Sequence, residues 1–218
     1  MVIFDCNGVL VDSEPLATAI VSQEFIRAGF ALTPDIVARY FTGRRPADMF
    51  ADVEIAAGRK LPPDFPATVA SATLRRFRAE LRATKHAAYA LSWLRGPKCV
   101  ASSSSLDRIR VSLESTDLIR FFEPNLFSAG DVRNGKPAPD LFLYAAGKMR
   151  VEPRECIVVE DSAVGVAAGV TAGMTVIGFV GGSHAGGQLG NQLRAAGASA
   201  VISDLRALKS TIIDLRGW

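Results

Sequence analysis

Long apolar runs are missing from this chain of 218 residues. None approaches the roughly 18 residues that a membrane span needs. At the N-terminus, Asp5 and Asp12 interrupt the apolar stretch that a signal peptide would require. Cysteine is scarce. Cys6, Cys99 and Cys156 form no C-x-x-C pair and no zinc spacing. Cys99 and Cys156 lie in apolar runs and read as buried thiols, which fits a reducing compartment. Charge of one sign is also lacking. A net charge of +3, with no basic stripe interleaved with aromatics, excludes nucleic acid as the expected partner. The densest positive run, Arg75-Arg76-Phe77-Arg78, sits in a helical pattern and reads as a solvated face. Histidine occurs twice, at His86 and His184, near no motif, and no chemical role is expected of either. A soluble, cytoplasmic monomer without membrane contact is the expectation.

Apolar residues are plentiful, at 49% of the chain, enough for a sizeable core. Six short apolar runs read as strands: Val2–Asp5, Cys99–Ser102, Asn125–Ser128, Cys156–Glu160, Thr175–Val180 and Ala200–Ser203. Helical patterns alternate with them from the second onward, at Leu106–Thr116, Pro139–Met149 and Ser162–Ala172. Such alternation predicts an α/β fold: a Rossmann-like, three-layer core with a parallel sheet covered on both faces.

The long gap between the first two strands reads as helical throughout. Ser13-Glu14-Pro15 is a start signal, Gly29 a stop, and Thr33-Pro34 a second start. Further helices are expected from Pro46 to Gly58, from Phe65 to Arg82, and over Arg82–Leu94. The predicted organisation is a core of residues 1–13 and 83–218 with an inserted helical cap at 14–82. Gly181–Gly190 is glycine-rich but lacks the Lys-Ser/Thr of a P-loop, and reads as a flexible connection.

In an open α/β sheet, ligands bind beyond the carboxyl ends of the strands. The first strand ends in Asp5. The second ends in Ser102, followed by Ser103, Ser104 and Ser105. The fourth ends in Glu160-Asp161, and Lys136 stands in the loop between the third and fourth. Three converging carboxylates require a cation between them, and an oxygen-only donor set suits Mg²⁺. A metal shields an anionic nucleophile from an anionic ester. Lys136 adds a positive charge and Ser102 a hydroxyl donor. Together these parts describe phosphoryl transfer to Asp5, through an aspartyl-phosphate, from a small phosphorylated substrate.

Four segments carry a resemblance. Phe4-Asp5-Cys6-Asn7-Gly8-Val9-Leu10-Val11-Asp12-Ser13-Glu14 resembles the first motif of the haloacid dehalogenase superfamily. Val100-Ala101-Ser102-Ser103-Ser104, Gly135-Lys136-Pro137-Ala138-Pro139-Asp140 and Val158-Val159-Glu160-Asp161-Ser162-Ala163-Val164-Gly165 resemble the second, third and fourth. The branch most similar is that of sugar phosphatases and β-phosphoglucomutases with a helical cap after the first motif. The resemblance implies that Asp5 is nucleophile and metal ligand. It implies a second ligand in the backbone carbonyl of Asn7 and a third in Asp161. Glu160 would support the metal directly or through water. Ser102, with Ser103 beside it, and Lys136 would hold the phosphate and the nucleophile. Thr42-Gly43-Arg44-Arg45 falls where such enzymes place a substrate loop, with Arg44 and Arg45 as candidate contacts for a substrate anion.

The first motif departs from the family at one position. Asn7 stands where an acid/base aspartate is expected. An amide cannot hold and return a proton as that carboxylate would. An engineered substitution that disables turnover is one explanation, favoured by the intactness of the other motifs. A naturally slow or purely ligand-binding protein is the other. The expected activity is that of a Mg²⁺-dependent phosphatase acting on a sugar phosphate or similar ester, impaired by Asn7. The alternatives are a phosphosugar mutase and, from another class, a phosphorylatable receiver.

Overall fold

A computed structural model describes residues 1–41 and 46–217, without the side chains of 40, 41, 46 and 47. The elements run β1 (Val2–Phe4), α1 (Glu14–Arg27), α2 (Pro34–Phe41), α3 (Pro46–Ala57), α4 (Phe65–Glu80), α5 (Ala87–Trp93) and β2 (Lys98–Ser102). They continue with α6 (Leu106–Ser115), β3 (Leu126–Ser128), α7 (Asp140–Met149), β4 (Ile157–Glu160) and α8 (Ala163–Thr171). The chain closes with β5 (Thr175–Phe179), α9 (Leu189–Ala195), β6 (Ala200–Ile202) and α10 (Leu208–Arg216). It divides into two compact units, Met1–Asp12 with Arg82–Trp218, and Ser13–Leu81.

The first unit is built on one six-stranded sheet of order β3-β2-β1-β4-β5-β6, parallel throughout. Strand residues alternate between faces, and both faces are buried. Ile3, Cys99, Ala101, Val158 and Val176 pack with Leu141, Phe142 and Ala145 of α7, Val166 and Ala168 of α8, and Leu193 of α9. On the opposite parity, Phe4 meets Phe122 edge to face, ring centroids 5.8 Å apart. Burial on both faces is why these strands read as continuous apolar runs and not as alternating ones. From β1 the chain fills the sheet outward to β3, then returns beside β1 with β4 and proceeds the other way. The order therefore reverses at the β1–β4 pair, the position where open sheets bind ligands.

The second unit is helical. Phe25 of α1, Phe50 of α3 and Phe65 of α4 form an aromatic cluster with Phe30, with centroids 4.9–6.2 Å apart. At such spacings aromatic pairs add to plain area burial. Helix α1 stops where Gly29 adopts φ +80°, a conformation that glycine takes without a Cβ penalty. In α4, Phe77 is fully buried, Arg75 and Arg78 are exposed, and Arg76 forms a two-point ion pair with Glu80 at 2.6 and 2.7 Å. The basic run is thus a solvated face with one apolar residue turned inward. All three cysteines are free and buried. Among the described residues, no helix is long and apolar enough to cross a membrane.

Two sequence expectations are corrected. A helix over Arg82–Leu94 is realised only as α5, because residues before it are claimed by the chain leaving β1. Asp12 N–H donates to the Arg82 carbonyl (3.0 Å), and Thr84 N–H to that of Leu10 (2.9 Å), with an antiparallel bridge between Val11 and Ala83. The departing and returning strands of the core are therefore paired. The glycine-rich connection after β5 also does more than connect, since it ends in α9 and packs against the site described next.

Candidate active site

Four of the sequence candidates meet at the β1–β4 reversal. Asp5 extends β1 by one ladder bond, its N–H donating to the Val159 carbonyl at 3.0 Å. Lys136 comes from the loop before α7. Its Nζ donates to Asp5 Oδ1 (2.6 Å), Glu160 Oε1 (2.6 Å) and the Ala101 carbonyl (3.1 Å). Three acceptors use the three N–H bonds of an ammonium group, and the side chain is 3% exposed. Burial would depress this amine, but Asp5 and Glu160 hold it charged, above its ordinary pKa. Ser102 closes β2 at 1% exposure, its Oγ accepting from Ser104 N–H at 3.3 Å.

Glu160 and Asp161 are neighbours with opposite treatment. Glu160 is 1% exposed and both its oxygens are taken. Oε1 accepts from Lys136, while Oε2 accepts from Ser162 N–H and Ser162 Oγ, both at 2.9 Å. Ser162 Oγ in turn accepts from Gly165 N–H at 3.1 Å, capping α8. The glycine has a packing reason. A Cβ at Gly165 would collide with the Glu160 carboxylate. Asp161 points elsewhere. Its Oδ2 lies 3.0 Å from His184 Nε2 and against Gly8, where an added Cβ would strike that same oxygen.

Residues 6–11 form a tight turn after β1. Gly8 N–H donates to the Val11 carbonyl (2.8 Å), and Leu10 and Val11 N–H to that of Cys6 (2.9 and 3.1 Å). Gly8 sits at φ +74°, the left-handed region that suits glycine. Asn7 Nδ2 donates to Ser104 Oγ at 2.7 Å, and Asn7 Oδ1 is buried with no hydrogen-bond partner among the described residues. Ser128 Oγ fixes the Ser104 carbonyl at 2.8 Å. Ser103 is exposed, beside this cluster in the chain and outside its hydrogen bonds. Arg44 and Arg45 lie outside the described residues. A cavity of about 400 Å³ in the helical unit, lined by Glu24, Arg27, Asp64 and Arg75 among others, holds none of these groups.

Among the described residues, the site gathers three carboxylates around Lys136 and His184. Burial pushes the Asp5 carboxyl up to about 8. Lys136 opposes the rise, and the charges of Glu160 and Asp161 add to it. No group of three or more His, Cys, Asp or Glu side chains forms a ready metal cage among the described residues. The donor set expected from the sequence is different in kind: two carboxylates, Asp5 and Asp161, and the backbone oxygen of Asn7. Few protein oxygens with room for water suit Mg²⁺, an ion that keeps much of its hydration, and do not suit zinc. Among the described residues, this gathering of carboxylates fits a bound cation.

Sequence reasoning missed Ser104 and His184. The first was visible within the serine run but carried no assigned role. His184 is corrected from a residue near no motif to one in contact with Asp161. His86, by contrast, pairs with Asp204 at 2.9 Å, away from the motif residues.

An open parallel sheet with acidic strand ends gathered at its reversal defines an α/β fold of the kind that binds ligands at that edge. A family model of haloacid dehalogenase-like hydrolases matches residues 1–173. The chain belongs to that family. It is 33% identical over 165 residues to the 6-phosphogluconate phosphatase of Escherichia coli K12, covering 75% of each chain. Among solved structures, a haloacid dehalogenase-like protein of Agrobacterium tumefaciens matches at TM-score 0.86 and 34% identity, over 99% of this chain and 98% of that one. A family hydrolase from Deinococcus radiodurans, solved with bound phosphate and sodium, matches at TM-score 0.79 and 30% identity, over 98% and 94%. Family membership sets aside the phosphorylatable receiver. The names of the relatives agree with a phosphoric monoester hydrolase.

Proposed function

We propose that the chain is a Mg²⁺-dependent phosphatase that removes phosphate from a small sugar phosphate or sugar-acid phosphate, with Asp5 as nucleophile. The observation that carries this reading is the Lys136 ammonium held 2.6 Å from both Asp5 and Glu160 at the sheet's reversal. Lys136 fixes Asp5 Oδ1, so attack falls to Oδ2. The Asp5 oxygen bonds to phosphorus as the ester P–O bond breaks, and the leaving alkoxide takes up a proton. Water then attacks the aspartyl-phosphate, releasing inorganic phosphate and restoring the Asp5 carboxylate. Asp5, the carbonyl of Asn7 and Asp161 would hold Mg²⁺, which offsets the charge of nucleophile and phosphate when bound. Glu160 acts behind Lys136, since both its oxygens are occupied. Ser102 Oγ and Lys136 steady the transferred group. Residues 14–82 serve as a substrate-selecting cap, with Arg44 and Arg45 as candidate contacts.

Residue 7 is where both proton transfers belong. Asn7 leaves that position without a transferable proton, so turnover is slow while binding persists. The test is phosphate release from a panel of phosphate esters by the Asn7→Asp protein, with and without Asp5→Asn. Free phosphate from sugar phosphates is the expected product, abolished by Asp5→Asn. Isomerised phosphosugar instead of free phosphate would make the protein a mutase. Turnover that survives Asp5→Asn would remove the nucleophile assignment.

A further inference from the structure

We propose that the exposed face of α5 is a docking surface for an acidic peptide segment of a partner protein, one that inserts a single apolar side chain. The chain has two Trp and three Tyr. One of each stands on this short helix, a turn apart. Trp93 is 53% and Tyr89 52% exposed, with ring centroids 6.2 Å apart. Together with Arg206 and Lys209 they line a groove of about 160 Å³, and two buried leucines, Leu205 and Leu208, lie at its base. All of it belongs to the first unit. A cavity of roughly 150 Å³ holds a benzene-sized group, so this groove takes one leucine or phenylalanine side chain. Tyrosine, tryptophan and arginine around such a pocket are the residue types that anchor protein interfaces.

The rim sets the partner's chemistry, because its charge is of one sign. Arg206 and Lys209 are exposed, and Lys209 Nζ stands 5.1 Å from the centre of the Trp93 ring. Lys85 and Arg95 flank α5, both exposed, and no carboxylate occurs in the chain between Glu80 and Asp107. The acid beside the groove, Asp204, is already engaged. Its Oδ2 accepts from Arg206 Nε and Nη2 at 3.0 and 2.7 Å, and its Oδ1 lies 2.9 Å from His86 Nδ1. Those bonds hold the Arg206 guanidinium in place while 61% of the side chain faces solvent. A cation fixed before binding loses less freedom when it meets a carboxylate. Asp214, further along α10, does not line the groove.

Charge and shape select among the possible occupants. A second copy that placed this face on itself across a two-fold axis would set Arg206 and Lys209 against their own counterparts. A nucleic-acid base stacks on an open ring face, and Lys209 lies over the ring of Trp93. An acidic peptide meets both features of the surface. Its carboxylates complement the cationic rim, and one apolar side chain fills the groove and covers the leucines.

Titration calorimetry of the full chain with synthetic decapeptides tests this. One peptide carries a central leucine among glutamates. In a second, serine replaces the leucine, and in a third, lysines replace the glutamates. The first is expected to bind saturably. Either peptide change should weaken binding at least about tenfold, as should Trp93→Ala, the loss typical of an interface anchor. Lys209→Glu should weaken the glutamate peptide and strengthen the lysine one. No binding of the glutamate peptide at millimolar concentration overturns the proposal. Equal binding of the leucine and serine peptides leaves only diffuse charge attraction and overturns it too. Binding of oligouridylate in place of the peptide makes this a nucleic-acid surface. Sedimentation as a dimer that Trp93→Ala breaks makes it a contact between copies. Either result overturns the peptide reading. If Trp93→Ala does not fold, Lys209→Glu decides, and an unchanged peptide preference there counts against the proposal.

Discussion

The Lys136 side and the His184 side of the site are constructed on different principles. On the first, three acceptors surround one ammonium, and Glu160 has a donor on each oxygen. On the second, Asp161 Oδ2 has His184, and Asn7 Oδ1 is buried without a hydrogen-bond partner among the described residues. Buried ionic networks are costly unless complete, so the closed side is scaffold that orients Asp5. On the reading proposed above, an incoming cation and phosphate bind on the second side, beside the orphaned Asn7 oxygen.

The largest effect should come from supplying what the open side lacks. Asn7→Asp is expected to raise ester hydrolysis by about 10²–10⁴, the usual worth of a general acid/base, with a much smaller change in ligand affinity. Ser104 Oγ accepts from Asn7 at present (2.7 Å) and, as a hydroxyl, can rotate to donate to a carboxylate. Steady-state rates of freshly made proteins decide it. Rates that agree within about threefold, far short of that range, would strip residue 7 of the proton-transfer role.

Breaking the closed side should cost stability before anything else. Lys136→Met leaves Asp5 and Glu160 facing each other without compensation, and removal of one partner from a buried pair typically costs about 3–5 kcal/mol. Denaturant melts should show the loss growing with pH, because both carboxylates must then carry charge in the fold. A loss below about 1 kcal/mol, the level of an exposed pair, would mean that the network is not the scaffold described.

A third test separates the halves by pH. The folded pKa of Asp5 is raised to about 8 from 3.8. Without metal, its contribution to stability is full below the unfolded value and is lost as pH rises through the folded one. Mg²⁺ needs the carboxylate, so its stabilisation should be larger at pH 8 than at pH 5. At a concentration 100-fold above Kd it would amount to about 2.7 kcal/mol, read as a rise in melting temperature. An equal rise at both pH values would place the cation away from Asp5.

The smallest effects come from two helical glycines. Gly165→Ala drives a methyl group into the Glu160 carboxylate and should cost about 1–3 kcal/mol, as overpacking does. Gly147→Ala in α7 meets nothing within 4 Å and is exposed. It should stabilise by about 0.5–1 kcal/mol. Chemical denaturation of the pair checks both, and matching signs would show that Glu160 has room to move.

Much of the closed side was legible in the sequence. Asp5 and Glu160 terminate apolar runs, Lys136 stands in a distinctive Gly-Lys-Pro loop, and strand ends in a parallel sheet fall on one edge. The helical segment was legible too, through Pro15, Gly29 and Pro34 at its starts and stops. The open side was not. His184 follows two glycines on the far side of β5, in a stretch whose composition reads as a linker. The expected helix over Arg82–Leu94 failed for a related reason. Its first residues are paired with Leu10 and Asp12, partners remote in the chain.

The sequence by itself determined the fold class, the strand ends that carry charge and the amide at position 7. Apolar periodicity and residue chemistry are local properties, present in the chain before it folds. Only the tertiary structure decided which neighbouring carboxylate takes Lys136 and Ser162 and which meets His184. That choice between Glu160 and Asp161 depends on Lys136, on the space left by Gly8 and Gly182, and on His184. Those groups come from separate elements and meet only because parallel strands bring their carboxyl ends to a common edge.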